Sequence, residues 1–231
     1  MFRALKQTLR RKKLERHGIS IQIRPDLKRY GERSGTWSII PAAIQNGDLV
    51  YSFGVGKNIA WDLDMVKHHR VELHAFDPTP RSAEWMSQQA LPDGLNFHPL
   101  GLAEKDGHLE FAVPRKEHKV NYSAYKNDAG TATVSCAVKT LSSIMQSLGH
   151  TRVSILKMDI EGGEIDALNN ILDDGIMVDQ LLVEFHYHYP SIGFQRFSST
   201  MHRLFEHGYR VFDISARGYE FSLVNQSVLD Q

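Results

Sequence analysis

From Gly47 onward, short apolar runs alternate with amphipathic stretches, and no other property of the sequence narrows the possible folds as much. The run DLVYSF (48–53) is rich in β-formers and ends at Gly54. NIAWDLDMVKHH (58–69) follows with helical periodicity, which predicts a buried face of Ile59, Leu63 and Val66. RVELHAF (70–76) predicts a second strand that stops at Asp77-Pro78. PRSAEWMSQQA (80–90) predicts a helix with Pro80 in its first turn, and LNFHPLGL (95–102) a third strand. This β-α-β-α-β rhythm calls for a parallel sheet with helices on both faces.

The rhythm breaks between about Ala103 and Ala137, which reads as an insertion. HLEFAVP (108–114) and ATVSCAV (132–138) predict strands, and the polar stretch between them an irregular loop of the kind that often serves function. KTLSSIMQSLG (139–149) predicts a short helix stopped by Gly149, and RVSILKMDI (152–160) a buried strand. GEIDALNNILDDG (163–175) predicts a helix with Ile165, Leu168 and Leu172 on one face. QLLVEFHYHYP (180–190) is a further strand, and FQRFSSTMHRLFEHG (194–208) a further amphipathic helix. YRVFDIS and YEFSLVN, joined at Arg217-Gly218, predict an antiparallel hairpin that finishes the sheet.

The 231 residues fit one large domain, and a 42% hydrophobic content supplies its core. Lys+Arg and Asp+Glu both number 27, which argues against a globally basic nucleic-acid binder. The single cysteine, Cys136, lies in an apolar alternation, reads as a packed thiol and makes no internal disulfide. No apolar run approaches the ~18 residues of a membrane span, and the N-terminus has no signal-peptide core, so a cytoplasmic location is expected. Residues 1–34 form a basic extension with Arg3, Lys6, Arg10, Arg11, Lys12, Lys13 and Arg16, and with Phe2, Leu5 and Leu9 at helical spacing. It reads as a solvated, partly frayed helix, the alternative being a weak membrane-surface or polyanion contact.

The chemistry concentrates where strands should end. In YSFGVGKN, Gly54 and Gly56 fall between a strand and a helix, where a ligand or the next helix can approach the backbone. Asn58 follows them. A dinucleotide fingerprint wants a third glycine where this chain has Ile59, which counts against NAD. Asp77 closes the second strand, where a carboxylate can accept both hydroxyls of an adenosine ribose or simply cap a turn. Gly101, Leu102 and Ala103 can form a small apolar shelf on the adenine side. In SILKMDIEGGEIDAL, Asp159 and Glu161 fall at the carboxyl edge of the fourth strand and invite a cation such as a sulfonium with an amino group. Without a ligand, the dipole of the following helix accounts for Glu161 and Glu164. Glu184, His186 and His188 recur at period two, so an imidazole there can take a proton from a hydroxyl; with Asp159 they can also hold a divalent ion, for which the sequence gives no further support.

The blocks LVYSFGVGKNIAWDLDMV, VELHAFDPTP, HPLGLAEKDG, ILKMDIEGGEIDAL and QLLVEFH, in that order, resemble the FkbM-type S-adenosylmethionine-dependent methyltransferases, in the branch that includes the methyltransferase-like 24 proteins. The likeness runs from about Gly35 to Gly208. It implies the class I, Rossmann-like methyltransferase fold: a seven-stranded, mostly parallel sheet with a terminal antiparallel hairpin, spanning residues 35–231. It also implies S-adenosylmethionine at Gly54 and Gly56, its ribose on Asp77, and Asp159 and Glu161 near the methionine end or the reacting centre. Gly35 to Trp37 matches a segment that covers the cofactor. Ser52 departs from the acid that often precedes the first glycine, which shifts the hold on the amino group to Asp159 or to backbone carbonyls.

These readings together point to methyl transfer to a hydroxyl of a small-molecule, sugar or lipid-linked acceptor. His186 stands first as general base, then Asp159, with Glu184 beside them; Tyr122 and Tyr125 of the insertion are placed to stack on the acceptor. A methyltransferase-like binding module without turnover and a nicotinamide-dependent oxidoreductase are the alternatives.

Overall fold

The computed structural model describes residues 2–33, 35–114, 122 and 132–230, with side chains from residue 4. An N-terminal helix α1 (Phe2–Arg16) leads to a hairpin of β1 (Lys28–Tyr30) and β2 (Trp37–Ile39). There follow β3 (Leu49–Phe53), α2 (Ala60–His69), β4 (Glu72–Phe76), α3 (Pro80–Met86) and β5 (Leu95–His98). Next come β6 (Gly101–Leu102) and, largely from the insertion, β7 (Gly107–Ala112) and β8 (Thr133–Lys139). The chain continues through α4 (Leu141–Leu148), β9 (Val153–Met158), α5 (Glu164–Asp173), β10 (Val178–Glu184) and α6 (Gly193–Glu206). It closes with β11 (Tyr209–Ile214), β12 (Glu220–Asn225) and a final turn of helix α7 (Gln226–Leu229).

Seven strands form the main sheet in the order β11-β12-β10-β9-β3-β4-β5. Only β12 runs against the rest, pairing antiparallel with both β10 and β11. Buried side chains cover both faces. Tyr51, Phe53 and Phe76 join Leu156, Leu168, Phe197 and Met201 on one side; Val50, Leu73 and Ala75 join Trp61, Met65 and Trp37 on the other. Each fully buried large apolar side chain is worth about 1.5–3 kcal/mol relative to exposure, so α6, which inserts Phe197, Met201 and Leu204, is a principal anchor. No helix among the described residues is long and apolar enough to cross a membrane.

Four sequence expectations are modified. Leu63 is 37% exposed, and α2 buries Trp61, Asp62 and Met65 instead, an arc that includes an acid and so escapes an apolar pattern search. The expected third strand divides into β5 and β6 at Pro99, which cannot donate to a ladder; β6 then pairs with β8 in a separate three-stranded sheet. The β1–β2 hairpin straddles the boundary drawn at residue 34. Finally, α1 is a continuous docked helix: Leu14 is buried, the Arg10 guanidinium donates to the Arg217 carbonyl and lies 3.9 Å from the Tyr219 ring centre, and the Lys13 ammonium lies 3.9 Å from that of Phe194.

The registers set up the site. Phe53 is level with Phe76 on one side and Met158 on the other, so β3, β4 and β9 end together and release Gly54, Asp77 and Asp159 at one edge. Gly54 has φ +79°, and a Cβ there would stand 1.8 Å from the Asp159 carbonyl oxygen. No rotamer relieves a clash with backbone. Gly54→Ala is therefore expected to destabilise the fold by at least ~2 kcal/mol in urea denaturation. Gly47→Ala, at φ +83° but with nothing within 4 Å of the added carbon, should lose only the ~1–2 kcal/mol of a left-handed residue. Equal losses at the two positions would contradict this reading.

Candidate active site

At the carboxyl edge of the sheet the loops enclose a cavity of about 330 Å³, within the range of small-ligand sites. Gly54, Gly56, Asn58, Asp77, Gly101, Leu102, Asp159, Glu161 and Glu184, each singled out by sequence, all line it. So do Gly35, Trp37, Ala103 and Tyr122; Tyr125 lies outside the described residues. His186 and His188 are not among its lining residues.

Asp77 ties two of the loops together. One carboxylate oxygen accepts from the Gly56 N–H at 2.9 Å; the other accepts from the Thr79 N–H at 3.0 Å and the Thr79 hydroxyl at 2.6 Å. A carboxylate offers about four acceptor positions, so roughly one remains. As it stands Asp77 has room for about one further donor, one fewer than the two hydroxyls of the expected ribose would need. Leu102, Leu109, Phe111 and Tyr122 supply apolar and aromatic wall beside it, the middle two coming from β7 of the insertion.

Sequence reasoning missed two of the lining residues. Asp62, in the first turn of α2, is fully buried and lines the cavity, and neither of its oxygens has a hydrogen-bond partner at normal geometry among the described residues. Burial pushes its carboxyl above the usual range, against the pull of Lys157 and the Ser52 hydroxyl. Lys157, on β9, is also buried; its ammonium is 3.3 Å from the Ser52 hydroxyl and 5.8 Å from the Trp37 ring centre. The cavity lining thus includes one buried carboxyl and one buried amine. An acid on the buried arc of a helix and a lysine inside an otherwise apolar strand are the signals that could have found them.

Just past Lys157, the end of β9 leads into an acidic cluster. Glu161 adopts φ +54°, a left-handed conformation that costs a non-glycine residue about 1–3 kcal/mol and is held here by its partners. The Tyr189 hydroxyl donates to Glu161, and His186 Nε2 stands 3.6 Å from Glu161 and 4.0 Å from Asp159. His186 Nδ1 meets buried Glu164 at 2.8 Å, and the same Glu164 oxygen accepts from the N–H groups of Ile160 and Gly162. Glu164 therefore caps the turn from inside α5.

These contacts set the protonation states. For His186, burial opposes the charge, but the hydrogen bond to Glu164 and the carboxylates of Glu164, Asp159 and Glu161 outweigh it and hold the imidazole up to about 9. His186 is thus hydrogen-bonded to Glu164 and lies outside the cavity lining, whereas the general-base expectation placed it against a substrate. Burial raises Asp159, against the pull of His186 and with a further push from Glu161, to about 6. Glu184, paired with Arg217 at 3.0 Å, is raised by burial and by Asp159 to about 7. Both carboxylates line the cavity on adjacent strand ends, and both titrate near neutrality. Asp159, Glu161 and His186 also lie close enough to share a divalent ion, which would have to displace the His186 proton.

A family model described as the methyltransferase FkbM domain matches residues 42–211. Probable methyltransferase-like protein 24 from Homo sapiens and from Rattus norvegicus are each 27% identical over 143 residues, covering 61% of this chain and 33% of the relative. The chain thus spans about a third of the length of the curated relatives it matches. Among solved structures, a Methanococcus jannaschii fibrillarin pre-rRNA processing protein superposes with a TM-score of 0.48 at 10% identity, over 93% of this chain and 75% of its own. The human methyltransferase 10 domain containing protein gives 0.41 at 12% identity over 96% of both chains. The family match covers most of the chain, from before β3 into β11, and on that ground the chain belongs to the methyltransferase FkbM domain family.

Proposed function

We propose that the cavity binds S-adenosylmethionine and that the chain, with the class I methyltransferase fold, methylates a hydroxyl of a small or carbohydrate-like acceptor. The observation that carries this reading is the buried carboxyl of Asp62 and the buried amine of Lys157 in the cavity lining. Buried Asp62 and Lys157 are matched to an ammonium and a carboxylate, the two ends of an amino-acid group. Asp62 does there what an acid at the Ser52 position would do. Asp77 and the apolar wall of Leu102, Leu109 and Phe111 suit a ribose and an adenine. Bound S-adenosylmethionine supplies a methyl group on a cationic sulfur.

The protein's part is positioning and proton removal. Asp159 and Glu161 present negative charge toward the cavity and favour a cation there. Asp159 stays largely ionised at neutral pH and accepts the acceptor's hydroxyl proton, with Glu184 beside it as a second acceptor. His186 keeps the turn over residues 160–162 in place through Glu164 and carries no proton to or from the substrate. The walls hold the reacting groups in line and exclude water.

Two binding measurements test the reading. Asp77→Ala should weaken S-adenosylhomocysteine by more than about tenfold in calorimetry, through loss of a charge-assisted hydrogen bond and of the Gly56 loop anchor. Asp62→Asn should weaken it by a similar factor, about tenfold or more, while leaving methylthioadenosine, which lacks the amino-acid group, unchanged. Equal losses for the two ligands in Asp62→Asn would remove the amino-acid assignment. Tight binding with no S-adenosylhomocysteine formed from S-adenosylmethionine across sugar, glycolipid and polyketide hydroxyls would leave a binding module in place of an enzyme.

A further inference from the structure

A second polar cluster lies at the other edge of the sheet. Glu72 opens β4, whereas Asp77 follows its last residue; at about 3.3 Å per residue the two are on the order of 16 Å apart along the strand. His74 is buried on β4, with Nε2 3.1 Å from the Glu72 carboxylate and Nδ1 2.8 Å from His98 Nε2 on β5. His150, in the turn between α4 and β9, stacks edge-on against His74 with ring centres 4.9 Å apart, and its Nδ1 lies 2.6 Å from the Tyr51 hydroxyl. One ligand atom from each of Glu72, His74 and His150 lies within 4.8 Å of the other two.

We propose that Glu72, His74 and His150 form a binding site for a divalent transition metal of the zinc type, separate from the methyl-transfer cavity. Two imidazoles and a carboxylate are a ligand set that zinc accepts readily, with a fourth position left to solvent. The 3.1 Å between His74 Nε2 and Glu72 Oε1 is close to the edge of a tetrahedron built on bonds of about 2.0–2.1 Å, roughly 3.3 Å. Metal-binding histidines characteristically use their second ring nitrogen to hold an outer partner. His74 has such a partner in His98, and His150 has one in Tyr51. Glu72 is about half exposed and His150 partly so, which leaves an entry path. A bound ion would fasten β4 to the α4–β9 turn, so it should stabilise the fold as well as bind.

The full chain, stripped with a chelator and dialysed, is titrated calorimetrically with zinc chloride, and its thermal midpoint is followed in parallel. Wild type should bind zinc at a saturable site, with a rise in Tm. Glu72→Gln and His150→Asn, both at partly exposed positions and checked for folding by circular dichroism, should each weaken that site by about tenfold or more and lose the Tm rise. Asp159→Asn should keep it. Absence of zinc binding by wild type overturns the proposal, as does binding that is unchanged in both variants or that disappears in Asp159→Asn alone.

Discussion

Asp159→Asn is expected to lower methyl transfer by roughly 10²–10⁴-fold, the usual range for removing a positioned general base. The substitution is nearly isosteric, so the backbone contact between Asp159 and Gly54 stays in place. The sign of the pH dependence follows from the raised carboxyls. A base must be ionised to act, and Asp159 and Glu184 are pushed up to about 6 and about 7, so wild-type turnover should rise with pH through that interval. The rise should flatten in Asp159→Asn. The same ionisation should show in binding without any acceptor present: the affinity for S-adenosylmethionine relative to S-adenosylhomocysteine, whose sulfur is uncharged, should increase over the same interval. A variant that keeps turnover within about threefold of wild type would show that the reaction needs no base at this position.

His186→Leu should act on the fold more than on the chemistry. It leaves Glu164, which is fully buried, without its cationic partner, and breaking a buried pair from one side costs about 3–5 kcal/mol. The folded imidazole is held up to about 9, above its ordinary value of about 6.5. Its contribution is therefore complete below about pH 6.5 and disappears as pH rises through about 9. Urea denaturation of wild type and variant should show the widest gap at pH 6 and a narrowing gap toward pH 9.5. Equal stability of the two proteins, with turnover lost only in the variant, would return the general-base role to His186.

Much of the architecture was legible because burial on both faces leaves a mark. β9 is buried throughout and reads as a near-continuous apolar run, and α5 buries Ile165, Leu168 and Leu172 as its periodicity indicates. Position also carried information: residues just past a strand end in a parallel sheet must reach the same edge, which brought Gly54, Asp77, Asp159 and Glu184 to one cavity. What sequence could not give was orientation after the strand stops. Glu184 and His186 are two residues apart, yet β10 ends at Glu184, alternation no longer holds, and His186 turns behind the cavity toward Glu164. Asp62 was hidden for the opposite reason. Apolar periodicity discards acids, so a carboxylate buried on purpose looks like a residue of the solvent face.

The central claim is that one adenosyl ligand spans the cavity, ribose at Asp77, amino-acid end between Asp62 and Lys157, sulfur toward Asp159. A crystal structure of the full chain grown with S-adenosylhomocysteine tests it most directly. Density in that place and in that orientation is the expected result. Ligand bound elsewhere, bound end-for-end, or failing to bind at saturating concentration would contradict it.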